Sequence, residues 1–328
     1  LISIQEFIQN RKDYDLVIDA RSPQEYAESH ISGAQNFYAL NDEEYKEVGT
    51  VYRQVSPFEA RVKGAAYVCK NAVTHISSLY PAYTPKTKIA MYCAKGGMRS
   101  ASLSTIFSNI GYRVDRIEGG YRSYRSFVID YLENMPTFSF VTLRGNTGSG
   151  KSELIEKLEN SIDLERMANH YGSVFGLMNG EQPSQKEFQN RLADALLGVD
   201  SAKPVFIEGE SKRIGKLILP NRLYEMMYEG KQVRVVASIE NRVKRIVGMY
   251  EHISRPHFED CMEKITPYIK KSAKDEILSS FAEKNLAKAA EILLIEYYDK
   301  VYKKSDKEEL IVCNDDEESA IAALKQIK

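Results

Sequence analysis

The sequence predicts an α/β protein of two parallel-sheet domains, the second carrying extra helices. Three observations predict it. Short apolar runs alternate with amphipathic stretches along most of the chain, the pattern of strands covered by helices. Two glycine-bearing loops, at 93–100 and 145–152, each follow an apolar run and precede a helical pattern. A turn-like break, Asn134-Met135-Pro136-Thr137, separates them, and 328 residues suit two domains. The expected domains are 1–133 and 134–328.

In the first half, Asp15–Asp19 (DLVID) reads as a strand. Ser22-Pro23-Gln24-Glu25 then opens a helix, with Ser as cap, Pro in the first turn and Glu three residues after the cap. Residues 40–80 are mostly helical in pattern. Lys88–Tyr92 (KIAMY) is a second strand, Met98–Asn109 a helix, Arg113–Ile117 a weaker strand and Tyr121–Leu132 a helix. In the second half, strands are expected at Phe138–Leu143, Pro204–Ile207, Gln232–Ala237 and Glu309–Cys313. A long helix is expected to fill much of 257–303. The acidic run Asp315–Glu318 suits a helix N-terminus, where negative charge meets the positive end of the dipole.

Composition excludes several classes. Lys+Arg is 45 and Asp+Glu 46, a formal net charge of -1, so this is no histone-like polycation, although a local basic groove stays open. Cys69, Cys93, Cys261 and Cys313 are far apart and include no CxxC pair, which argues against a disulfide framework or a structural zinc and for a reducing, cytoplasmic setting. No apolar run approaches the ~18–20 residues that span a bilayer, so no membrane partner is expected. The N-terminus does not read as a secretory signal, and a start at Leu1 rather than Met suggests a few preceding residues.

Two loops carry the chemistry. Cys93-Ala94-Lys95-Gly96-Gly97-Met98-Arg99-Ser100 places a thiol at a strand end, where N–H groups and a helix N-terminus can cradle an anion. Gly96 and Gly97 let the backbone curl, Lys95 and Arg99 add positive charge, and Arg99 can fork onto an oxyanion. Gly145-Asn146-Thr147-Gly148-Ser149-Gly150-Lys151-Ser152 fits the phosphate-binding pattern G-x4-G-K-[ST] in its required strand–loop–helix context. Lys151 is expected to neutralise phosphate, and Ser152 can ligate a metal. Glu208 and Glu210, after a later strand, are candidate metal or supporting carboxylates; Asp is the usual residue there, and a plain turn carboxylate is the alternative. Lys212 and Arg213 add cations beside them. Arg242 and Arg245 start a helix where a lid arginine can sit, or are solvated cations. His170 and Ser173, in the glycine-bearing loop 170–176, either meet a second substrate or hold the loop. Glu296-Tyr297-Tyr298-Asp299 reads first as a core stripe, with base stacking as the lesser reading.

The first loop, with Asp19-Ala20-Arg21, Glu25-Tyr26, His30-Ile31-Ser32-Gly33-Ala34, Asn36 and Glu118-Gly119-Gly120-Tyr121, resembles the rhodanese domain. In that family the cysteine carries a persulfide, and the residues matching Asp19, Arg21 and His30 are mostly structural. The spacing Cys-x5-Arg is one residue longer than the common sulfurtransferase loop and is also seen in rhodanese-like phosphatases, but Tyr92 stands where those usually have His.

Taken together, both loops, Asp163-Leu164-Glu165, His170-x-Gly172-Ser173-x-Phe175-Gly176, Glu208-x-Glu210-Ser211, Glu296-Tyr297-Tyr298-Asp299, Gly49-Thr50 and Tyr52-x-Gln54 resemble the tRNA 2-selenouridine synthases, over nearly the whole chain. The resemblance implies a rhodanese-like domain before a P-loop NTPase/kinase-like domain. It implies modification of the wobble 2-thiouridine of tRNA in two steps: S-geranylation from geranyl diphosphate, then replacement of the geranylthio group by selenium from selenophosphate. The 145–152 loop is assigned the diphosphate; the Cys93 loop is assigned selenophosphate, with selenium carried on Cys93 and passed to C2 of the base. Selenophosphate could be delivered by its synthase, and a Mg²⁺ requirement stays open. Arg122, Arg125, Lys212, Arg213, Lys216, Arg242, Arg245, Lys270, Lys271 and Lys274 are candidate tRNA cations, a few of which are expected to line a groove that crosses the domain junction near Pro136; solvated surface cations are the alternative. The alternative reading is a rhodanese sulfurtransferase or phosphatase fused to a small-molecule kinase.

Overall fold

The computed structural model describes residues 1–176, 180–302 and 309–327. The chain divides into two compact units. Unit 1 comprises 1–132 with 184–194, and unit 2 comprises 133–183 with 195–328. The short segment 184–194, which the sequence reading places with the second half, thus counts with the first.

Unit 1 begins with α1 (Ile4–Gln9), β1 (Leu16–Asp19), α2 (Pro23–Glu28) and β2 (Gln35–Asn36). α2 starts as the sequence signals, with a capping box between Ser22 and Glu25 and Pro23 in the first turn. The helical stretch 40–80 is two helices, α3 (Asp42–Gln54) and α4 (Pro57–Leu79), broken at Ser56-Pro57, where Ser56 caps α4. Then come β3 (Lys88–Tyr92), α5 (Met98–Ile110), β4 (Arg113–Arg116) and α6 (Gly120–Asn134). The four strands form a parallel sheet in the order β2-β1-β3-β4. β3 is central and its last four residues are buried, which sets Cys93 at the C-terminal end of a fixed strand.

Unit 2 carries β5 (Phe140–Arg144), α7 (Lys151–Lys157), β6 (Ser161–Ile162) and α8 (Leu164–Ala168). α9 (Gln185–Gly198) begins in the segment that counts with unit 1. There follow β7 (Val205–Glu208), the hairpin β8 (Arg213–Ile214) and β9 (Leu217–Ile218), α10 (Asn221–Glu229), β10 (Lys231–Val236) and α11 (Ile239–Tyr250). The single long helix expected over 257–303 is instead α12 (Arg255–Ile265), α13 (Lys271–Ala282), α14 (Leu286–Leu293), a π-helical turn (Leu294–Tyr298) and α15 (Asp299–Val301); residue 303 lies outside the described residues. Thr266-Pro267 and the left-handed Lys284 interrupt it, because Pro lacks an N–H and positive φ cannot continue a helix. β11 (Glu309–Cys313) and α16 (Glu317–Lys325) close the unit, and Asp316 caps α16 as the acidic run predicts.

The second sheet is parallel, in the order β11-β10-β5-β7-β6. β5 lies where the chain leaves toward β7 on one side and returns to β10 on the other. That reversal opens a crevice at the strand's carboxyl end, the place where doubly wound sheets bind ligands.

Candidate active site

The Cys93 loop is shaped by the segment after β4. Gly120 has φ +58°, and a Cβ there would stand 2.1 Å from the Cys93 carbonyl oxygen, so only glycine fits. The Tyr121 and Arg122 N–H groups donate to the Cys93 and Ala94 carbonyls at 2.8 and 3.0 Å. The start of α6 is therefore clamped onto the loop. Cys93 is buried, and Ser100 donates its hydroxyl to the sulfur at 3.2 Å. Among the described residues, the N–H groups of Lys95, Gly96 and Gly97 bond no backbone acceptor outside helices and strands, which leaves them for an anion. Lys95 is exposed beside them.

Arg99 departs from expectation. Its guanidinium is forked onto Glu25 (one arm at 3.3 Å) and lies 4.5 Å from the centre of the Tyr45 ring. Burial would raise the Glu25 carboxyl, but the Arg99 hydrogen bond and charge outweigh it and hold it below its ordinary value. The positive charge expected to grip an oxyanion is thus already met by a carboxylate. Asp19, Arg21 and His30 are structural, as expected. Arg21 forks onto buried Asp19 and sits 3.8 Å over the Tyr121 ring, while His30 bonds the Tyr26 carbonyl at 3.0 Å. Tyr92 is fully buried, and its hydroxyl accepts the Ile31 N–H.

The 145–152 loop forms the second cradle. Gly145 passes so close to Val235 that a Cβ would meet its carbonyl at 2.3 Å. Lys151 reaches back to the Gly145 carbonyl at 3.1 Å, the position from which it can turn to a phosphate. The loop is braced from outside. Asp299 accepts from Asn146 at 2.7 Å and from both arms of Arg242, whose Nε donates to the Thr147 carbonyl. Arg245 bonds Glu153 and the Gly148 and Asn314 carbonyls. Arg242 is buried, so it is a brace for the loop and not a tRNA contact; a buried charge is committed to the partner that compensates it. Arg245 also lines the crevice above the loop, where a lid arginine is expected.

That crevice is a cavity of about 380 Å³ walled by Lys151, Ser152, Glu165, Tyr171, Glu210 and Tyr250 among others. Glu165 and Glu210 line it, with Glu208 buried behind Glu165 and Asp163 close by in the fold. Ser152 donates to Glu165 at 2.7 Å, and the Glu165 N–H donates to Glu208 at 2.9 Å. Glu208 is wholly buried with one oxygen, Oε1, lacking a partner. Burial, with the charge of Glu165, pushes Glu208 well above its ordinary value and Glu210 up to about 7; burial also raises Asp163. Such a set of hard oxygens beside a phosphate loop fits Mg²⁺. In the sequence Asp163 and Glu165 stand in the Asp-Leu-Glu motif, in a region expected to meet a second substrate; nothing in their spacing from Ser152 hints at the contact.

His170 holds its own loop: Nδ1 accepts the Gly172 N–H at 3.1 Å, burial lowers its proton affinity, and Ser173 rather than His170 faces the cavity. Tyr297 is core, Tyr298 lines an apolar slot beside the loop, and Asp299 is the brace already described. Arg125 bonds the Lys186 carbonyl at 3.1 Å and Gln189 at 2.6 Å, with Asn190 a further partner, so it ties down 184–194 and is not an open cation. Arg122, Lys212 and Arg213 are exposed. One cluster has no signal in the sequence reading. His257, Asp260 and Cys261 bring ligand atoms within 4.8 Å on α12, but burial pushes the Cys261 thiol up to about 11, away from a metal-binding thiolate. Among the described residues no helix is long and apolar enough to cross a membrane.

Comparison with known proteins accounts for both cradles. Residues 3–127 match the rhodanese-like domain, and 138–267 match the tRNA 2-selenouridine synthase AAA domain. The tRNA 2-selenouridine synthase of Pseudomonas syringae pv. syringae (strain B728a) is 35% identical over 238 residues, 71% of this chain and 65% of that protein. That of Hydrogenovibrio crunogenus (strain DSM 25203 / XCL-2) is 35% identical over 252 residues, 74% of this chain and 70% of that protein. That of Shewanella piezotolerans (strain WP3 / JCM 13877) is 35% identical over 240 residues, 72% and 66%. The match to the first of these spans a little under two thirds of that relative's length. With a rhodanese-like domain followed by a tRNA 2-selenouridine synthase AAA domain, and with such relatives 35% identical over about 70% of its length, the chain belongs to the tRNA 2-selenouridine synthase family.

Proposed function

We propose that the chain converts 2-thiouridine at the wobble position of tRNA to 2-selenouridine in the cytoplasm, in two steps that divide between the two cradles. The observation that carries the reading is the pairing of a phosphate loop that opens onto an apolar slot with a separate loop that presents a hydrogen-bonded cysteine.

In the first step the thiocarbonyl sulfur attacks C1 of geranyl diphosphate. The C1–O bond breaks, the diphosphate leaves and the base gives up its N3 proton. Backbone N–H groups of 145–152 and Lys151 hold the charge that grows on the leaving group. Mg²⁺, held by Ser152, Glu165 and Glu208, would add charge neutralisation there. In the second step the N–H groups at 95–97 and Lys95 take the phosphate part of selenophosphate, the Cys93 thiolate attacks its phosphorus, the P–Se bond breaks, and the hydrogen selenide released attacks C2, while water later frees Cys93 by carrying off the phosphate. The C2–S bond breaks and geranylthiol leaves, a better leaving group than the original thiocarbonyl sulfur. Selenophosphate reaches the Cys93 loop from its synthase.

Nucleoside mass spectrometry of bulk tRNA from cells with and without the protein tests the reading. Loss of 2-selenouridine and of the geranylthio intermediate on deletion is expected. Unchanged selenouridine would overturn it.

A further inference from the structure

Beside the phosphate cavity lies a slot of different character. It runs among α11, α12, α13, α14 and the π-helical turn. Phe175, Ile246, Tyr250, Phe281, Leu293 and Tyr298 are among its walls, and its polar lining is nearly confined to Thr147 and the tyrosine hydroxyls. Thr147, Ile246 and Tyr250 wall both the slot and the phosphate cavity, so the two are continuous at the phosphate loop. The π-helical turn supplies Leu294 and Tyr298; such turns widen a helix locally and recur at functional sites. At one wall Phe258 and Phe281 stack face to face, with ring centres 3.8 Å apart and planes 4° from parallel. Both rings also line a separate cavity of about 610 Å³.

We infer that this slot receives the hydrocarbon tail of an allylic diphosphate seated on the phosphate loop, and that the Phe258–Phe281 pair sets the length of chain admitted. The inference rests on the alkylation step proposed above and adds where the chain lies and what measures it. A nucleotide is a poor occupant, because a base and ribose need polar partners that these walls do not offer. The slot holds about 50 Å³, room for roughly four waters, on the order of one five-carbon unit. A second unit fits once the stacked rings part toward the neighbouring cavity, so the pair acts as a gate and not as a fixed floor. Each methylene drawn out of water is worth about fourfold in affinity, so a ten-carbon chain seated here should bind far more tightly than the bare diphosphate.

Two substitutions in the full chain test this, with binding of inorganic pyrophosphate, dimethylallyl, geranyl and farnesyl diphosphates and ATP measured by calorimetry. Ala290→Phe fills the slot from α14; it should reduce the affinity for geranyl diphosphate at least tenfold and leave pyrophosphate unchanged. Phe281→Ala removes half of the gate and should shift preference toward the farnesyl chain by about tenfold. If the wild type geranylates 2-thiouridine tRNA and neither variant alters chain-length preference, the tail lies elsewhere and the inference falls. It falls equally if Ala290→Phe weakens pyrophosphate and geranyl diphosphate to the same degree, or selects against ATP instead. If the wild type binds no prenyl diphosphate more tightly than pyrophosphate and geranylates nothing, the alkylation reading fails first and takes the slot with it.

Discussion

At the scale of single residues, the chemistry is set by what each charged or nucleophilic group already touches. Ser100 is the clearest case: its hydroxyl is the side-chain donor to the Cys93 sulfur. Ser100→Ala removes a hydrogen bond worth about 1 kcal/mol, so iodoacetamide should alkylate Cys93 roughly fivefold more slowly at fixed pH, with little change in melting temperature. Equal rates would mean that the bond does not bear on the thiol. Gly120 is constrained by space as well as by φ. Gly120→Ala must push the Cys93 carbonyl aside and should destabilise unit 1 by roughly 2–4 kcal/mol, read as a shift in the urea midpoint. The Glu25 carboxyl, held low by Arg99, contributes stability that is present above the ordinary carboxylate range and is lost as pH falls through its depressed folded value. Glu25→Gln should therefore flatten the acid limb of the stability curve of unit 1 and free Arg99 for an anion. The sequence presents Arg99 as an anion-gripping cation because its partner is 74 residues away and no local pattern joins them.

At the scale of elements, strands and loops are legible because their signals are local. The capping box at Ser22, the KIAMY strand and the G-x4-G-K-S turn each carry their own physics within eight residues. Bracing between distant elements is not legible. Asp299 looks like the end of an aromatic stripe, yet it is the acceptor that joins Asn146 and Arg242 to the phosphate loop. Asp299→Ala leaves Arg242 buried without its partner. We expect a loss of about 3 kcal/mol in unit 2 and a pyrophosphate affinity lowered by about tenfold, from chemical denaturation and calorimetry. Asp299→Asn keeps an acceptor for Asn146 and should fall between. Full pyrophosphate affinity in the alanine variant would show that the loop holds its shape without the brace. The helical stretch 257–303 reads as one rod because its apolar period persists through the breaks; the turn at Thr266-Pro267 and the π-helical turn are what make room for a slot among its helices.

At the scale of the whole molecule, a net charge of -1 means that the proposed binding of tRNA would depend on a few open cations and not on the overall field. Arg125, Arg242 and Arg245 are committed to internal partners, so the exposed candidates that the sequence leaves include Arg122, Lys212 and Arg213. Charge reversal at Lys212 with Arg213 should weaken tRNA binding and lower the slope of log K against log salt by up to ~0.7–0.9 for each phosphate no longer neutralised, whereas Arg125→Glu should reduce stability more than the salt slope. A salt series that leaves both slope and affinity unchanged in the Lys212/Arg213 variant would place tRNA elsewhere. The central claim is that two cradles perform two successive reactions. Its most direct measurement is a time course with purified protein, 2-thiouridine tRNA, geranyl diphosphate and selenophosphate, followed by nucleoside mass spectrometry for wild type, Cys93→Ser and Lys151→Ala. The account predicts that Cys93→Ser accumulates geranylthiouridine and makes no selenouridine, while Lys151→Ala slows geranylation by one to two decades, as removal of a charge-assisted hydrogen bond of ~1.5–3 kcal/mol requires. Normal selenouridine from Cys93→Ser, or normal geranylation with failed selenation from Lys151→Ala, would contradict it.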